Sequence, residues 1–309
     1  MTASRERCPA CPLCEAPGAA DLGVGAPLPA PGAAPRWRRC GSGGSLFAWP
    51  PPPRDALAAH FAEMAYGDAE RADAIARDKE PLFAHLLARL QEARPPGRRL
   101  LDVGCSFGAF LERARGAGFE PRGVEPNPQA VAVAGRRGFP VACAWGLADA
   151  GLAPDSVDVV TSIDALYYAE SPLAEVRAAA RALAPGGLLA IRTTNKAWLA
   201  WPAALARRLA PRAGRVFQAA VHDHLTSMPP RALGAALARA GFVDVVVEGG
   251  ATTVPLERAA PSTRLAYHVS AALERATGGR VHLSPGVLVL ARRGPAAAPD
   301  LASAAAPAL

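Results

Sequence analysis

The fold of this chain is decided by the stretch Leu100-Leu101-Asp102-Val103-Gly104-Cys105-Ser106-Phe107-Gly108. Its apolar start predicts a buried strand, and a helical pattern begins directly after it, at Ala109. Gly104 and Gly108 allow the backbone to approach a ligand closely, because glycine has no side chain in the way. Asp102 stands where the strand ends, and its carboxylate can accept hydrogen bonds from a cationic or amino group. The stretch therefore predicts a ligand-binding turn between a strand and a helix.

A second acidic residue, Glu125, lies 21 residues after Gly104, at the end of the next predicted strand. An acid at this distance can hold the ribose hydroxyls of a nucleotide-like ligand. Nicotinamide enzymes share this arrangement, but their G-x-G-x-x-G pattern fails here because Ser106 stands at the second glycine. A pyrophosphate also prefers a helix N-terminus without a carboxylate such as Asp102 beside it. Both features disfavour a nicotinamide cofactor.

Strand and helix patterns alternate along residues 54–294. The predicted strands are 99–103, 120–124, 157–162, 188–193, 243–248 and 286–291, and the predicted helices are 81–93, 109–117, 128–137, 172–183, 230–240 and 262–277. This alternation predicts an α/β fold with a mainly parallel sheet covered on both faces. Ligands of such sheets bind at the carboxyl ends of the strands, which is where the two acids lie.

The turn at residues 102–108 resembles the first motif of class I S-adenosylmethionine-dependent methyltransferases, usually D-x-G-C-G-x-G. Residues 183–187 resemble the family's L-x-P-G-G turn, and residues 240–242 its A-G-F, in the expected order. The resemblance implies a Rossmann-like, doubly wound, mainly parallel seven-stranded sheet and S-adenosylmethionine as methyl donor. The residues implied to bind this donor are Asp102, Gly104, Cys105, Ser106, Gly108, Glu125, Asp149 (near the adenine amino group) and Asp164.

The acceptor side is predicted from the segment between the fifth and sixth strands. His222-Asp223-His224-Leu225 resembles an H-L-x-x-F/M segment of small-molecule methyltransferases, in which His224 matches the histidine. We expect His224, or else His222, to act as the catalytic base for methylation of oxygen, with Asp223 as its orienting partner. The alternative is that His224 only hydrogen-bonds the loop after the fifth strand. Methylation of carbon or nitrogen also stays open.

Aromatic residues flank this region. Tyr167 and Tyr168 stand where many relatives carry Glu-His, so we expect them to line the acceptor pocket or to pack in the core. Residues 196–220 carry Trp198, Trp201 and several arginines on a helical pattern. This pattern predicts a lid over the acceptor, or alternatively an amphipathic helix that seeks a membrane surface.

Four cysteines crowd the first 40 residues: Cys8, Cys11, Cys14 and Cys40. In a reducing compartment such a cluster indicates a metal rather than disulfides. Cys11-x-x-Cys14 followed by Cys40 resembles a zinc ribbon that precedes some methyltransferases of this type, but Gly43 stands where the fourth ligand is expected. Structural zinc needs four ligands. The site is therefore completed by Cys8, completed by water, or lost.

Composition divides the chain into three zones and limits its partners. Residues 1–53 form the small zinc-ribbon-like segment, residues 54–294 the methyltransferase domain, and residues 295–309 an alanine- and proline-rich tail expected to be disordered. Lysine is nearly absent, and the net charge of +7 comes from scattered arginines without interleaved aromatics. Nucleic-acid binding is therefore disfavoured, and a small-molecule acceptor is expected.

Two other hypotheses are kept. A nucleic-acid methyltransferase with the ribbon as its binding module predicts an N/D-P-P-Y/F-type motif after the fourth strand, where this chain has Asp164-Ala165-Leu166-Tyr167. The other hypothesis is a non-catalytic relative that keeps the fold. The sequence shows neither a membrane-spanning stretch nor a signal-peptide core, so we expect a cytoplasmic protein of unknown oligomeric state.

Overall fold

The computed structural model describes residues 10–26, 34–64, 69–206, 209–210, 224–252 and 255–295. The strands formed by these residues are β1 (Ala20–Gly25), β2 (Arg36–Arg39), β3 (Leu46–Trp49), β4 (Arg99–Val103), β5 (Glu120–Glu125), β6 (Val141–Cys143), β7 (Val157–Ile163), β8 (Leu183–Thr194), β9 (Thr226–Ser227), β10 (Phe242–Gly249) and β11 (Gly286–Arg293). The helices are α1 (Arg54–Met64), α2 (Ala69–Asp78), α3 (Glu80–Glu92), α4 (Ala109–Gly116), α5 (Pro128–Arg136), α6 (Pro172–Ala182), α7 (Ala197–Ala206), α8 (Pro230–Arg239) and α9 (Pro261–Ala276).

Within the described residues, the larger sheet has seven strands in the order β10-β11-β8-β7-β4-β5-β6. Strands β8, β7, β4, β5 and β6 run parallel, and β11 is antiparallel to both of its neighbours. From β4 the chain builds outward through β5 to β6 and then returns to β7 on the other side of β4. This reversal leaves a crevice at the carboxyl ends of β4 and β7, where doubly wound sheets bind their ligands. The predicted Rossmann-like, mainly parallel sheet is confirmed.

Apolar side chains cover both faces of this sheet. Helix α3 buries one stripe, which includes Leu86 and Leu90, against Leu100 of β4. Helix α6 buries Leu173 and Val176 on the opposite face. Each fully buried leucine stabilises the fold by about 1.5–3 kcal/mol. The two helical layers hold the strands in register, so the loops at their carboxyl ends are set on a rigid support.

The amino-terminal segment folds as an antiparallel sheet of four strands in the described part of the chain, in the order β1-β2-β3-β9. The last strand comes from the central zone, since Phe47 pairs with Thr226 and Leu46 with Ser227. The guanidinium of Arg239 on α8 also donates to the backbone oxygen of Cys14 at 2.6 Å. The cysteine-bearing segment is thus joined by hydrogen bonds to the stretch that follows the predicted base His224.

The predicted elements agree with the structure to within one or two residues at most ends, and two differences have physical reasons. Strand β8 begins at Leu183, before the predicted turn, because Leu183 already pairs with Val157. The intervening residues 184–187 bulge out before pairing resumes between Val159 and Leu188. Strand β6 was not predicted, because three residues are too short for a strand pattern to be recognised.

None of the helices in the described ranges is both long and apolar enough to cross a bilayer. Several predictions fall on residues outside those ranges. They are the ligand Cys8, the base His222 with its partner Asp223, residues 207–208 and 211–220 of the predicted lid, and the tail from residue 296 onward.

Candidate active site

A cavity of about 540 Å³ opens at the carboxyl ends of β4, β5 and β7, within the size range of small-molecule pockets. Most of the side chains predicted to bind a cofactor lie in its wall: Asp102, Gly104, Cys105, Ser106, Glu125 and Asp164. Gly108 begins helix α4 in a left-handed conformation directly behind them, with φ at +86°. The cavity occupies the crevice that the strand order creates. The strand order and the sequence motif therefore indicate the same candidate site.

Asp102 is a buried acid at the floor of this cavity. Its side chain is 3% exposed and accepts a hydrogen bond from the Thr161 hydroxyl at 2.7 Å. Burial raises the pKa of Asp102 to about 7, against the opposing effects of the Thr161 hydrogen bond and the positive charge of Lys79. A cationic ligand group would favour its ionised form, because the carboxylate lacks full compensation in the protein alone.

The turn after β4 depends on the absence of a side chain at Gly104. Its φ is +74°, and a Cβ built there would lie 2.6 Å from the Cβ of Ala165. Ser106, which replaces the usual glycine of the motif, also adopts a left-handed backbone with φ at +51°. The loop geometry therefore exists with serine at this position, at the cost of backbone strain that glycine would not carry.

Glu125 holds the loop from the neighbouring strand. One carboxylate oxygen accepts from the backbone N–H of Ser106 at 2.9 Å, and the other from that of Asn127 at 3.0 Å. Burial raises the pKa of Glu125, and these two hydrogen bonds oppose that rise. Each carboxylate oxygen retains a second lone pair, so Glu125 can still accept from hydroxyl groups of a ligand.

The structure places Asp149 apart from the other predicted cofactor residues. Its carboxylate is 38% exposed and pairs with Arg54 of α1 at 2.9 Å, and it is not among the described residues that line the cavity. Glu175 of α6 lines the cavity instead and accepts from the backbone N–H of Leu147 at 2.6 Å. The loop before Asp149 is therefore positioned by an acid from α6.

On the acceptor side, His224 packs among aromatic rings. Its ring centroid lies 3.8 Å from that of Tyr167 and 5.9 Å from that of Tyr168. The Thr194 hydroxyl oxygen lies 3.4 Å from Nδ1 of His224. Of these groups, only Tyr168 belongs to the described cavity wall, and His224 is buried beside it. The predicted base is therefore next to a residue of the cavity wall and is not itself among the described lining residues.

Three amino-terminal cysteines come together as their spacing predicted. The sulfur atoms of Cys11, Cys14 and Cys40 lie within 4.8 Å of one another. The Sγ atoms of Cys14 and Cys40 are 3.5 Å apart, and the backbone N–H of Gly43 points at Cys40 Sγ at 3.5 Å. A Cβ at Gly43 would lie 3.0 Å from the Cβ of Ala232, so α8 occupies the space of the missing fourth cysteine.

The sequence profile of a methyltransferase-domain family matches residues 75–247, more than half of the chain. The chain belongs to this methyltransferase family. The matched range contains the turn at residues 102–108, Glu125, Asp164 and His224. The predicted membership of the methyltransferases is confirmed.

Two curated relatives of this methyltransferase share a name. The ubiquinone biosynthesis O-methyltransferase of Idiomarina loihiensis is 35% identical over 112 residues, which cover 33% of this chain and 46% of that protein. The protein of the same name from Xanthomonas axonopodis pv. citri is 31% identical over 180 residues, covering 53% of this chain and 72% of that protein. The chain thus spans somewhat under half the length of the Idiomarina relative.

A solved structure shows the same fold. It is a chain from the complex between the Haloferax volcanii Trm112 methyltransferase activator and a methyltransferase, with a TM-score of 0.50 and 20% identity. The match covers 79% of this chain and 97% of that chain.

The motifs did not predict three charged residues near the site of this methyltransferase. Glu175 supports the loop at residues 146–148, while Lys79 and Arg192 both pair with Asp164. Lys79 lies before the motifs that carry the resemblance, and Arg192 follows the apolar run of residues 188–191 within its strand. The one available signal was composition, since Lys79 is one of only two lysines in the sequence.

Proposed function

We propose that this protein transfers a methyl group from S-adenosylmethionine to an oxygen atom of a small-molecule acceptor. The observation that carries the proposal is the cavity that gathers Asp102, Ser106 and Glu125 at the switch point of the sheet. The relatives are named O-methyltransferases, which supports oxygen as the acceptor atom. When bound, S-adenosylmethionine supplies a methyl group on a positively charged sulfur that an acceptor oxygen can attack in line.

The residues present fit this methyl donor. Asp102 offers a buried carboxylate to the ammonium group of the methionine end. Burial raises the pKa of Asp102, and a bound cation would favour its ionised form. Glu125 keeps lone pairs for the ribose hydroxyls while it holds the backbone of Ser106. Gly104 lets the backbone approach the ligand without a side chain between them.

His224 is the base that we propose for removing the proton of the acceptor hydroxyl. It is buried beside Tyr168, which lines the cavity, and Thr194 lies within 3.4 Å of its Nδ1 atom. The Thr194 hydroxyl can therefore help to orient the imidazole ring. His222 lies outside the described residues and remains the second candidate.

Calorimetry with S-adenosylmethionine, followed by transfer of a labelled methyl group to a panel of phenols, tests this function. We expect binding by the wild type. We expect His224→Gln to bind equally well but to transfer methyl about 100-fold more slowly, because general-base catalysis contributes about that factor. No binding of S-adenosylmethionine would show that the chain is a non-catalytic relative. Equal transfer rates in the two proteins would show that His224 is structural.

A nucleic-acid acceptor is the second candidate, and the same labelled donor tests it. Label in bulk RNA or DNA, and none in phenols, would favour that function and the ribbon as its binding module. The scattered arginines and the absence of an N/D-P-P-Y/F-type motif in the sequence support the small-molecule acceptor. The cytoplasmic location stays a prediction.

We also propose that Cys11, Cys14 and Cys40 hold a structural zinc ion in the segment of residues 1–53 that precedes the methyltransferase domain of residues 54–294. Three thiol groups within 4.8 Å of one another supply the soft ligands that zinc prefers. Gly43 offers no side chain, and α8 leaves no space for one. Cys8 or a water molecule then completes the four-coordinate site.

Elemental analysis of the purified protein tests the zinc proposal. We expect about one zinc ion per chain, and we expect its loss in Cys14→Ser. The exposed Cys143 provides the matched control, since Cys143→Ser removes a thiol far from the cluster in sequence and should retain zinc. Loss of zinc in Cys8→Ser would identify Cys8 as the fourth ligand. A wild type free of zinc would show that the site is lost.

A further inference from the structure

The amino-terminal sheet, formed by β1, β2, β3 and β9, is continuous with the segment that carries the proposed base. Residues 46–47 of β3 pair in antiparallel register with residues 226–227, which form β9. The backbone hydrogen bonds continue for one more residue, because the N–H of Ala48 donates to the backbone oxygen of Leu225 at 2.9 Å. His224 directly precedes these paired residues and is 7% exposed. The position of His224 along the chain is therefore set by strand pairing with β3.

The same segment is hydrogen-bonded to the short turn that follows β7. The backbone N–H of Leu225 donates to the backbone oxygen of Tyr167 at 3.0 Å, and the Thr226 hydroxyl donates to the same oxygen at 3.4 Å. Leu166 and Tyr168, the two neighbours of Tyr167 in this turn, both line the cavity. Two hydrogen-bonded steps, from β3 to β9 and from β9 to the turn, therefore connect the amino-terminal sheet to the cavity wall.

Both faces of β3 are buried, and each face packs on a different part of the molecule. Phe47 is 2% exposed and belongs to the same hydrophobic core as Tyr167. Leu46 and Ala48 point to the opposite face, because side chains alternate along a strand. They share a hydrophobic cluster with Leu225 and with alanines of α7, which is part of the predicted lid. Strand β3 is therefore held between the core of the larger sheet and α7.

The loop proposed to bind the methyl donor depends on different contacts. Glu125 of β5 accepts from the backbone N–H of Ser106 at 2.9 Å, and Thr161 of β7 donates to the carboxylate of Asp102 at 2.7 Å. Both hydrogen bonds lie within the larger sheet and the loop that follows β4. A change in the contact between β3 and β9 can therefore alter the acceptor side while the donor loop is kept.

We propose that Phe47 and Thr226 are positioning residues for the acceptor side of the active site. Through the turn at Tyr167 they hold the imidazole ring of His224 in place beside Tyr168 of the cavity wall. The ring centroids of Tyr167 and His224 are only 3.8 Å apart, so a shift of the turn also shifts the ring of the base. This inference rests on the proposed function, in which His224 is the base. It makes the amino-terminal sheet a part of the acceptor site and predicts slower methyl transfer at unchanged donor affinity when the sheet is perturbed.

Phe47→Leu and Phe119→Leu form a matched pair of core variants. Phe119 is 4% exposed like a core residue, but it precedes β5, at the end of the sheet opposite to the cavity. We expect Phe47→Leu to lower kcat for methyl transfer about 10-fold, since misplacing a reacting group by about 1 Å can cost about 100-fold. We expect Phe119→Leu to keep the wild-type kcat, and both variants to keep the wild-type Kd for S-adenosylmethionine in calorimetry. An equal loss of kcat in the two variants would overturn the proposal, because a general loss of packing would then explain both.

Thr226→Val tests the same connection with less risk to folding. Valine has nearly the shape of threonine but lacks the hydroxyl that donates to the backbone oxygen of Tyr167. We expect kcat to fall about 5-fold, as loss of one neutral hydrogen bond predicts. Thr226→Ser keeps the hydroxyl and should retain the wild-type kcat. Wild-type kcat in both Phe47→Leu and Thr226→Val would show that the amino-terminal sheet is a separate module and would overturn the proposal.

The NMR signal of the His224 imidazole reports the same geometry without any activity. The aromatic ring of Tyr167 shifts this signal, because its centroid is only 3.8 Å away. In protein with labelled histidine, the signal is identified by its loss in His224→Gln. We expect it to be displaced in Phe47→Leu and Thr226→Val and unchanged in Phe119→Leu, and a signal unchanged in all three variants would overturn the proposal. If the wild type binds no S-adenosylmethionine, the methyltransferase function fails, while a displaced signal still supports the positioning of His224 by the amino-terminal sheet.

Discussion

Two places at the carboxyl ends of the strands differ in charge and in how the sequence builds them. We call the end of β4 and β5 the donor edge, after the proposed methyl donor, and the end of β7 and β8 the assembled edge. The first edge carries the acids Asp102 and Glu125, whose pKa values are raised by burial. The second edge carries Arg192 and Lys79 around the ionised Asp164. Among the described residues, the acids at the first edge are paired with no cation, whereas the acid at the second edge is paired with two.

The two edges also differ in how the chain assembles them. The donor loop is contiguous, and Glu125 reaches Ser106 across only 19 residues. The assembled edge, at the carboxyl ends of β7 and β8, joins Lys79 to Asp164 across 85 residues and Arg192 to Asp164 across 28. A local motif can be recognised from one stretch of sequence, whereas an assembled cluster requires the fold. This difference explains why the motif at residues 102–108 was recognised in the sequence and the cluster of Lys79, Asp164 and Arg192 was not.

The largest expected effect comes from breaking the assembled edge. Arg192→Met should lower the free energy of unfolding by about 3 kcal/mol, because it leaves Asp164 buried with one cation fewer. Urea denaturation followed by circular dichroism measures this change. Arg258→Met is the control, since its pair with Asp78 is surface-exposed and should contribute much less. Equal destabilisation by the two variants would show that the buried pair contributes no more to the free energy of unfolding than the exposed pair.

The sequence predicted the parallel sheet because each strand and helix carries its own pattern and end signals. It predicted the site only where the contacts are local. Asp149 illustrates the limit, because nothing in its spacing indicated its pair with Arg54, 95 residues away. Glu175 supports the same loop from α6, and no motif marked it. Contacts between elements depend on how those elements pack, which a pattern along the chain does not encode.

The second prediction concerns the donor edge. Asp102→Asn should weaken binding of S-adenosylmethionine about 100-fold, because the carboxylate that faces the ammonium group is lost while the side-chain shape is kept. Calorimetry measures the affinity. Asp244→Asn is the matched control, since that carboxylate is 74% exposed and lies on β10, at the far edge of the sheet. Affinity that survives Asp102→Asn would remove Asp102 from the donor site.

The pH dependence of donor binding follows from the raised pKa of Asp102. Since the pKa in the protein alone is about 7, Asp102 is largely protonated at pH 6 and largely ionised at pH 8. The cation binds the ionised form, so affinity for S-adenosylmethionine should fall about 10-fold as the pH drops from 8 to 6. Calorimetry at both values should show this fall in the wild type and its absence in Asp102→Asn. A flat wild-type profile would contradict the raised pKa.

The smallest expected effect tests the one departure of the donor loop from its motif. Ser106→Gly should raise the free energy of unfolding by about 0.5 kcal/mol, since relief of the left-handed strain exceeds the added entropy of the unfolded chain. Donor binding should stay unchanged, because the backbone N–H that reaches Glu125 is retained. Gly104→Ala, two residues earlier, should abolish binding through its clash with Ala165. Urea denaturation measures the free energy of unfolding, and calorimetry measures donor binding. Weaker binding in Ser106→Gly would show that the serine hydroxyl itself contacts the donor.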